Sequence, residues 1–233
     1  YFGKPEVLSQ EKLGYNCTSD SFVDTGTCKG LKPGSLMFIA FNSQNPDQFL
    51  FYAVDEIPAG ATIFVTDNAW TGTEFRSNEG VLKIGVHNQN IPAGTIFGYG
   101  TPRGEAWVHF QSGGGSFALA TAGDTLITYC LSSDGRPLHL NALSFNGGWL
   151  PPSSNENSFG TKGSALPGTL PQNCAVSLSH RDNYEFVGNI SGNRNNMLSS
   201  LTDPLNWNGS DNFRITMDVS EEVSPSETFN LFM

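Results

Sequence analysis

The chain has 233 residues, of which 26 are glycine and 13 proline, and only 15 % are charged. That composition argues against helical bundles and coiled coils and suits many short strands joined by tight turns. A formal net charge of −10 lacks the basic footprint that phosphate backbones require, so no nucleic acid is expected as partner, and anionic membrane surfaces are disfavoured too. No apolar run approaches the roughly 20 residues of a bilayer span, so no transmembrane segment is expected.

Residues 1–32 read as an N-terminal extension, with a short helix at Pro5–Leu13 and a Ser/Asp/Thr/Gly loop bracketed by Cys17 and Cys28. From Pro33 the texture changes. Ser35–Phe41, Phe49–Val54, Ala61–Thr66, Val81–Gly85, Gly94–Tyr99, Ala106–Phe110, Ser116–Ala120, Asp124–Leu131 and Leu138–Phe145 read as strands. The Leu36–Phe41 run is continuously apolar and should be covered on both faces. Asp124–Leu131 alternates, with Leu126, Thr128 and Cys130 facing opposite to Ile127, Tyr129 and Leu131. Ile57-Pro58-Ala59-Gly60 and Ile91-Pro92-Ala93-Gly94 echo one another, as Pro/Gly turns that feed a strand where the chain changes sheets.

Beyond Phe145 the pattern loosens into Gly/Pro/Ser/Asn-rich loops. Ala175–Ser179 reads as a strand, Asn193–Leu201 as a short helix ended by Asp203-Pro204, and Phe213–Val219 as a closing strand. The expected fold is all-β: a two-sheet sandwich over residues 33–219 with a short C-terminal helix and long loops. Residues 220–233 are acidic and then apolar, and Phe229, Leu231, Phe232 and Met233 are expected to dock on a protein partner.

Cys17, Cys28, Cys130 and Cys174 form no CxxC pair, which argues against structural zinc. Cys17 and Cys28 lie in polar sequence, where exposed thiols are a liability. The expected pairing is Cys17–Cys28 with Cys130–Cys174. Disulfides imply an oxidising location, secreted or within an organelle lumen, reached through a removed targeting segment. Sequons at Asn16, Asn189 and Asn208 occur about as often as chance predicts.

The densest polar constellation follows Ala61–Thr66. Asp67, Asn68, Glu74 and Glu79 offer oxygen ligands of the kind calcium takes. Trp70 and Arg76, with Trp149 in a Gly-Gly-Trp turn, could instead hold a glycan or carboxylate by stacking and bidentate contact. The structural alternative has Asp67 and Asn68 capping the turn while Trp70 and Phe75 plug the sandwich end and Arg76 pairs with Glu74 or Glu79. A glycosidase would need two carboxylates facing across a cleft. No Gly-x-Ser-x-Gly elbow or phosphate-cradling glycine loop occurs.

Three segments carry a family resemblance: Gly34–Asn45 running on to Phe49–Val54, then Phe64-Val65-Thr66-Asp67-Asn68-Ala69-Trp70-Thr71-Gly72, and finally Asn193–Leu201 with Asp203-Pro204-Leu205-Asn206-Trp207-Asn208-Gly209-Ser210. Over about residues 33–212 the chain resembles a family of secreted bacterial and algal β-domains with a Phe-Thr-Asp-Asn-Gly-Trp signature. Here Val65 intervenes before Thr66, and Ala69 stands where glycine is usual. The resemblance implies an exported module, often part of a larger protein, with no established activity. The expected function is therefore a non-catalytic accessory subunit of a larger assembly, with calcium or carbohydrate binding, and then a glycoside hydrolase, as alternatives.

Overall fold

The computed structural model describes residues 26–86, 88–100, 108–153, 155–160 and 163–217. The expected Pro5–Leu13 helix, Asn16, Cys17 and the apolar tail Phe229, Leu231, Phe232 and Met233 lie outside them. The strands run, in chain order, β1 (Leu36–Asn42), β2 (Gln48–Ala53), β3 (Thr62–Thr66), β4 (Gly80–Val86), β5 (Ile96–Tyr99), β6 (Val108–Gly114), β7 (Thr125–Leu131), β8 (Pro137–Ser144), β9 (Ala175–Ser177), β10 (Asn183–Phe186) and β11 (Trp207–Ser210). One helix, α1 (Arg194–Thr202), lies between β10 and β11. The strands form a five-stranded sheet, β11-β10-β1-β2-β5, and a six-stranded sheet, β6-β4-β3-β7-β8-β9. The chain is an all-β two-sheet sandwich, as its composition and turn spacing predict.

Phenylalanine builds the core. Phe49 and Phe51 of β2 are two residues apart and so share a face. Phe38 and Phe41 of β1 are three apart and would point to opposite faces. A register shift between Phe38 and Ala40 corrects this, letting Phe38 pair with Phe51 and Phe41 with Phe49. Their rings meet at 4.6 Å for Phe38–Phe51. Phe41 reaches Phe145, just beyond β8 of the other sheet, at 4.4 Å. All of these rings are buried, so the two sheets share one aromatic interior. Each such ring removes a large apolar area from water and adds edge or offset contacts to its neighbours.

The two echoed turns perform the sheet change. Ile57 precedes the crossing from β2 to β3, and Ile91 the crossing from β4 back to β5. The two isoleucines also pair with one another, each main-chain N–H donating to the other's carbonyl at 2.9 Å. Both side chains are fully buried. The echo is thus two matched corners bonded together.

The cysteine pairing differs from expectation. Cys28 is bonded to Cys130, 102 residues away, which overturns both the Cys17–Cys28 and the Cys130–Cys174 pairings; Cys174 is disulfide-bonded as well. The cause is the path of residues 26–28, which lie against the ends of β3 and β7. Thr27 N–H donates to Leu131 O at 2.8 Å, Leu131 N–H donates to Thr27 Oγ1 at 2.8 Å, and Thr62 N–H donates to Thr27 O at 3.0 Å. This docking carries Cys28 to Cys130, and Leu31 follows it into the core.

Two expected strands are not strands. Ser116–Ala120 lies outside any ladder, and residues 213–217 run beside the ends of β1 and β10 without joining the sheet. The Asn42 side chain holds that segment, accepting from Ile215 N–H at 2.8 Å and donating to Ile215 O at 3.0 Å. The ladder positions are filled instead by β10 and β11, which pair from Asn183↔Ser210 to Phe186↔Trp207. The helix falls where expected. Asn193 is its N-cap and accepts from Asn196 N–H at 3.0 Å. Arg194 ties it to the sandwich through Asp55 at 3.1 Å and Pro33 O at 2.7 Å.

Non-reducing peptide mapping should recover Cys28 linked to Cys130. Replacing both by alanine should cost about 3–5 kcal/mol, because the bond closes a long loop in the unfolded chain. A Cys28 peptide linked elsewhere would contradict the observed path.

Candidate functional site

The loop between β3 and β4 is closed at its neck by three consecutive side chains. Thr66 Oγ1 donates to Gly80 O at 2.6 Å and accepts from Asn68 N–H at 3.0 Å. Asp67 Oδ1 accepts from Gly80 N–H at 2.8 Å. Asn68 Oδ1 accepts from Glu79 N–H at 2.9 Å, and its Nδ2 donates to Gly80 O at 3.1 Å. Short Asx and Thr side chains suit this work because they reach main-chain groups a few residues away. At the tip, Thr71 N–H donates to Glu74 O at 2.9 Å. Gly72 there has φ +116°, and an added Cβ would lie 2.6 Å from Pro152 Cβ, so only glycine fits.

The segment joining β6 to β7 brings in more carboxylates. Asp67 Oδ2 accepts from Ala118 N–H at 2.8 Å, Asp47 Oδ2 from Leu119 N–H at 2.9 Å, and Asp124 Oδ2 from Ala120 N–H at 3.0 Å. Asp124 Oδ1 also accepts from Thr125 N–H at 2.8 Å. Three successive amides are therefore held by three separate aspartates. Burial raises the pKa of Asp47 and of Asp67; Asp47's charge adds to the rise at Asp67. Burial, reinforced by Asp67 and opposed by Arg76, pushes Glu79 up to about 7. Asp124 is pushed to about 8 by burial, against its two amide bonds and with Glu79 and Asp67 adding repulsion.

An aromatic layer covers the outward face of the six-stranded sheet. Phe64 stacks on Tyr129 at 5.1 Å, Tyr129 meets Phe75 at 4.9 Å, and Trp70 contacts Phe75 at 4.9 Å and His139 at 4.6 Å. The loop after β8 closes over this layer. Trp70 N–H donates to Ser164 Oγ at 2.8 Å, Ala165 N–H to Trp70 O at 2.9 Å, and Arg76 Nη1 to Gly160 O at 2.6 Å. His139 Nδ1 meets Thr169 Oγ1 at 2.9 Å. Burial lowers the His139 pKa to about 4, so the ring is neutral near pH 7.

Asp67, Asn68 and Glu79 come together at the loop neck, while Glu74 is exposed at the tip. The oxygens of Asp67 and the Oδ1 of Asn68 already accept main-chain amides. Among the described residues no group of three or more His, Cys, Asp or Glu is arranged to hold a metal ion. Trp70 is buried and Trp149 is half-buried against the core, so neither ring stands clear as a stacking platform. Arg76 turns to the Gly160 carbonyl. Sequence reading missed Asp47 and Asp124. The two aspartates look like ordinary turn residues beside Pro46 and Gly123, and no local signal shows that they converge.

Among the described residues no helix is long and apolar enough to cross a membrane. No family model, curated protein or solved structure matches the chain.

The neutral His139 sets an acid limit. Between about pH 6.5 and 4 the unfolded chain binds a proton that the folded chain refuses, so stability falls as pH drops through that window. In urea melts across this range, His139→Asn should flatten the acid limb relative to the parent. An unchanged slope would mean that other groups set the limit.

Proposed function

We propose that this chain is a non-catalytic interaction module, an accessory subunit of a larger assembly in an oxidising compartment outside the cytosol. The observation that carries this reading is the use made of the polar constellation. Asp47, Asp67, Asn68 and Asp124 all accept main-chain N–H groups, which is the work of closure rather than of turnover. A glycosidase needs a carboxylate facing its substrate, whereas both Asp67 oxygens face the protein's own backbone. The Cys28–Cys130 bond supports the oxidising compartment, and the resemblance to exported β-domains points the same way.

Partner recognition falls to the rim. Leu205, Phe213 and Val187 are 90 %, 75 % and 58 % exposed. They lie around the β10–β11 edge, where Val187 N–H bonds Asn206 O at 2.8 Å. Large apolar side chains at such exposure are anchors of the kind protein interfaces bury. In sequence, Phe229, Leu231, Phe232 and Met233 add a further apolar stretch. Light scattering on material from the native source should give a mass well above the 25.1 kDa chain. Leu205→Asp with Phe213→Asp should reduce it to that of the chain alone. A parent protein that runs as a single chain would sink this reading.

The calcium alternative is tested separately. With the loop-neck oxygens holding amides, Tm in millimolar calcium should match Tm in EDTA to within about 1 °C, since only a ligand that prefers the folded state raises it. A rise of several degrees would restore the cation reading.

A further inference from the structure

Residues 115–124 leave β6 at one edge of the six-stranded sheet and rejoin it at β7, passing the ends of β4 and β3. The segment lies hard against the fold: a Cβ on Gly80 would sit 2.1 Å from Phe117 N, and one on Gly115 would sit 2.5 Å from Glu79 O. Leu119 is buried beneath it. Phe117 packs on Phe49 at 6.0 Å and Tyr99 at 5.9 Å, both on the opposite sheet. Asp47 comes from the β1–β2 turn of that sheet, while Asp67 and Asp124 belong to the six-stranded one. The three amides in the middle of the segment have carboxylates as acceptors where a strand would have ladder carbonyls.

We propose that this segment is a proton-controlled strap: aspartates from both sheets clamp it across one end of the sandwich, and mutual repulsion among Asp47, Asp67, Glu79 and Asp124 loosens it when all four are ionised. Among the described residues the opposing cations are few. Arg76 acts on Glu79 and Arg214 on Asp47. Tyr99 faces Phe117, and His180 Nε2 meets Thr121 O at 2.7 Å, with Asp182 at 3.9 Å from the ring. Among the described residues no cation acts on Asp124, whose charge there meets Glu79 and Asp67. The folded-state values of Glu79 and Asp124 lie above their ordinary ones, about 7 and about 8. The closed strap therefore binds protons that an opened strap releases, and closure weakens as pH rises through that window. Opening would bare the Phe117, Phe49 and Tyr99 end of the core. This inference concerns the sandwich end and is independent of the partner reading at the β10–β11 rim.

Amide hydrogen exchange on the whole chain, in EDTA and corrected for intrinsic rates, tests it. From about pH 6 to about pH 9, protection at Ala118–Ala120 should fall about tenfold or more, the equivalent of one pKa unit. Amides of β1 and β2 should hold. Glu79→Gln removes a charge without removing an amide acceptor, and Asp47→Asn keeps an oxygen for Leu119 N–H; each should shrink the fall. Protection that ignores pH, that falls equally in β1 and β2, or that falls as steeply in both variants would overturn the proposal.

Discussion

A chain that leaves a β-ladder must find new acceptors for its main-chain N–H groups, and one end of this sandwich is organised by that demand. Between β6 and β7 the acceptors are the carboxylates of Asp47, Asp67 and Asp124. Bringing three charges into a poorly hydrated corner carries a desolvation cost, which surfaces as raised pKa values. In return the crossing segment lies flat enough for Leu119 and Phe117 to seal the aromatic core. The same Asp67, through its other oxygen, fixes the neck of the β3–β4 loop at Gly80. Closing that neck directs the loop back over the sheet and lays Trp70 on the outward face.

The parts of the fold that were legible in sequence are those whose pattern is local. Leu36–Phe41 reads as a doubly covered strand because both faces are apolar. The Ile-Pro-Ala-Gly echo marks the sheet changes because each copy carries its own turn chemistry, and Asn193 announces the helix because its cap bond spans only three residues. The failures share a different cause. Ser116–Ala120 has the alternation of a strand, with Phe117 and Leu119 turned inward, yet its amides are taken by side chains, so no ladder forms. β10 and β11 have only four residues each, which leaves little periodicity to read. Cys17 and Cys28 are close in sequence, but the docking of Thr27 on Leu131 decides where Cys28 goes.

The candidate site was legible only in part, and for the same reason. Thr66, Asp67 and Asn68 form one local neck, and their residue types reveal that role. Asp47 and Asp124 join them only through the topology that stacks the β1–β2 turn beside the start of β7. His139 is hidden in a buried strand and acquires its character from Trp70 and Phe75, which the β3–β4 loop folds on top of it. Aromatic residues that resemble a binding platform in sequence become, once the β3–β4 loop and the loop after β8 cover each other, a third layer of packing.

Desolvation acts in opposite directions on the two kinds of buried ionisable group. It holds His139 neutral down to about 4 and holds Glu79 and Asp124 protonated up to about 7 and 8. Lowering the pH from about 6.5 to about 4 therefore penalises the fold through the imidazole, and raising it from the ordinary carboxylate range to about 7 and 8 penalises it through the carboxylates. Below about 7 both Glu79 and Asp124 are held largely protonated, which lowers the charge of the corner they share with Asp47 and Asp67. The fold commits its most reactive-looking side chains to its own closure, while at the rim Leu205, Phe213 and Val187 leave large apolar side chains exposed.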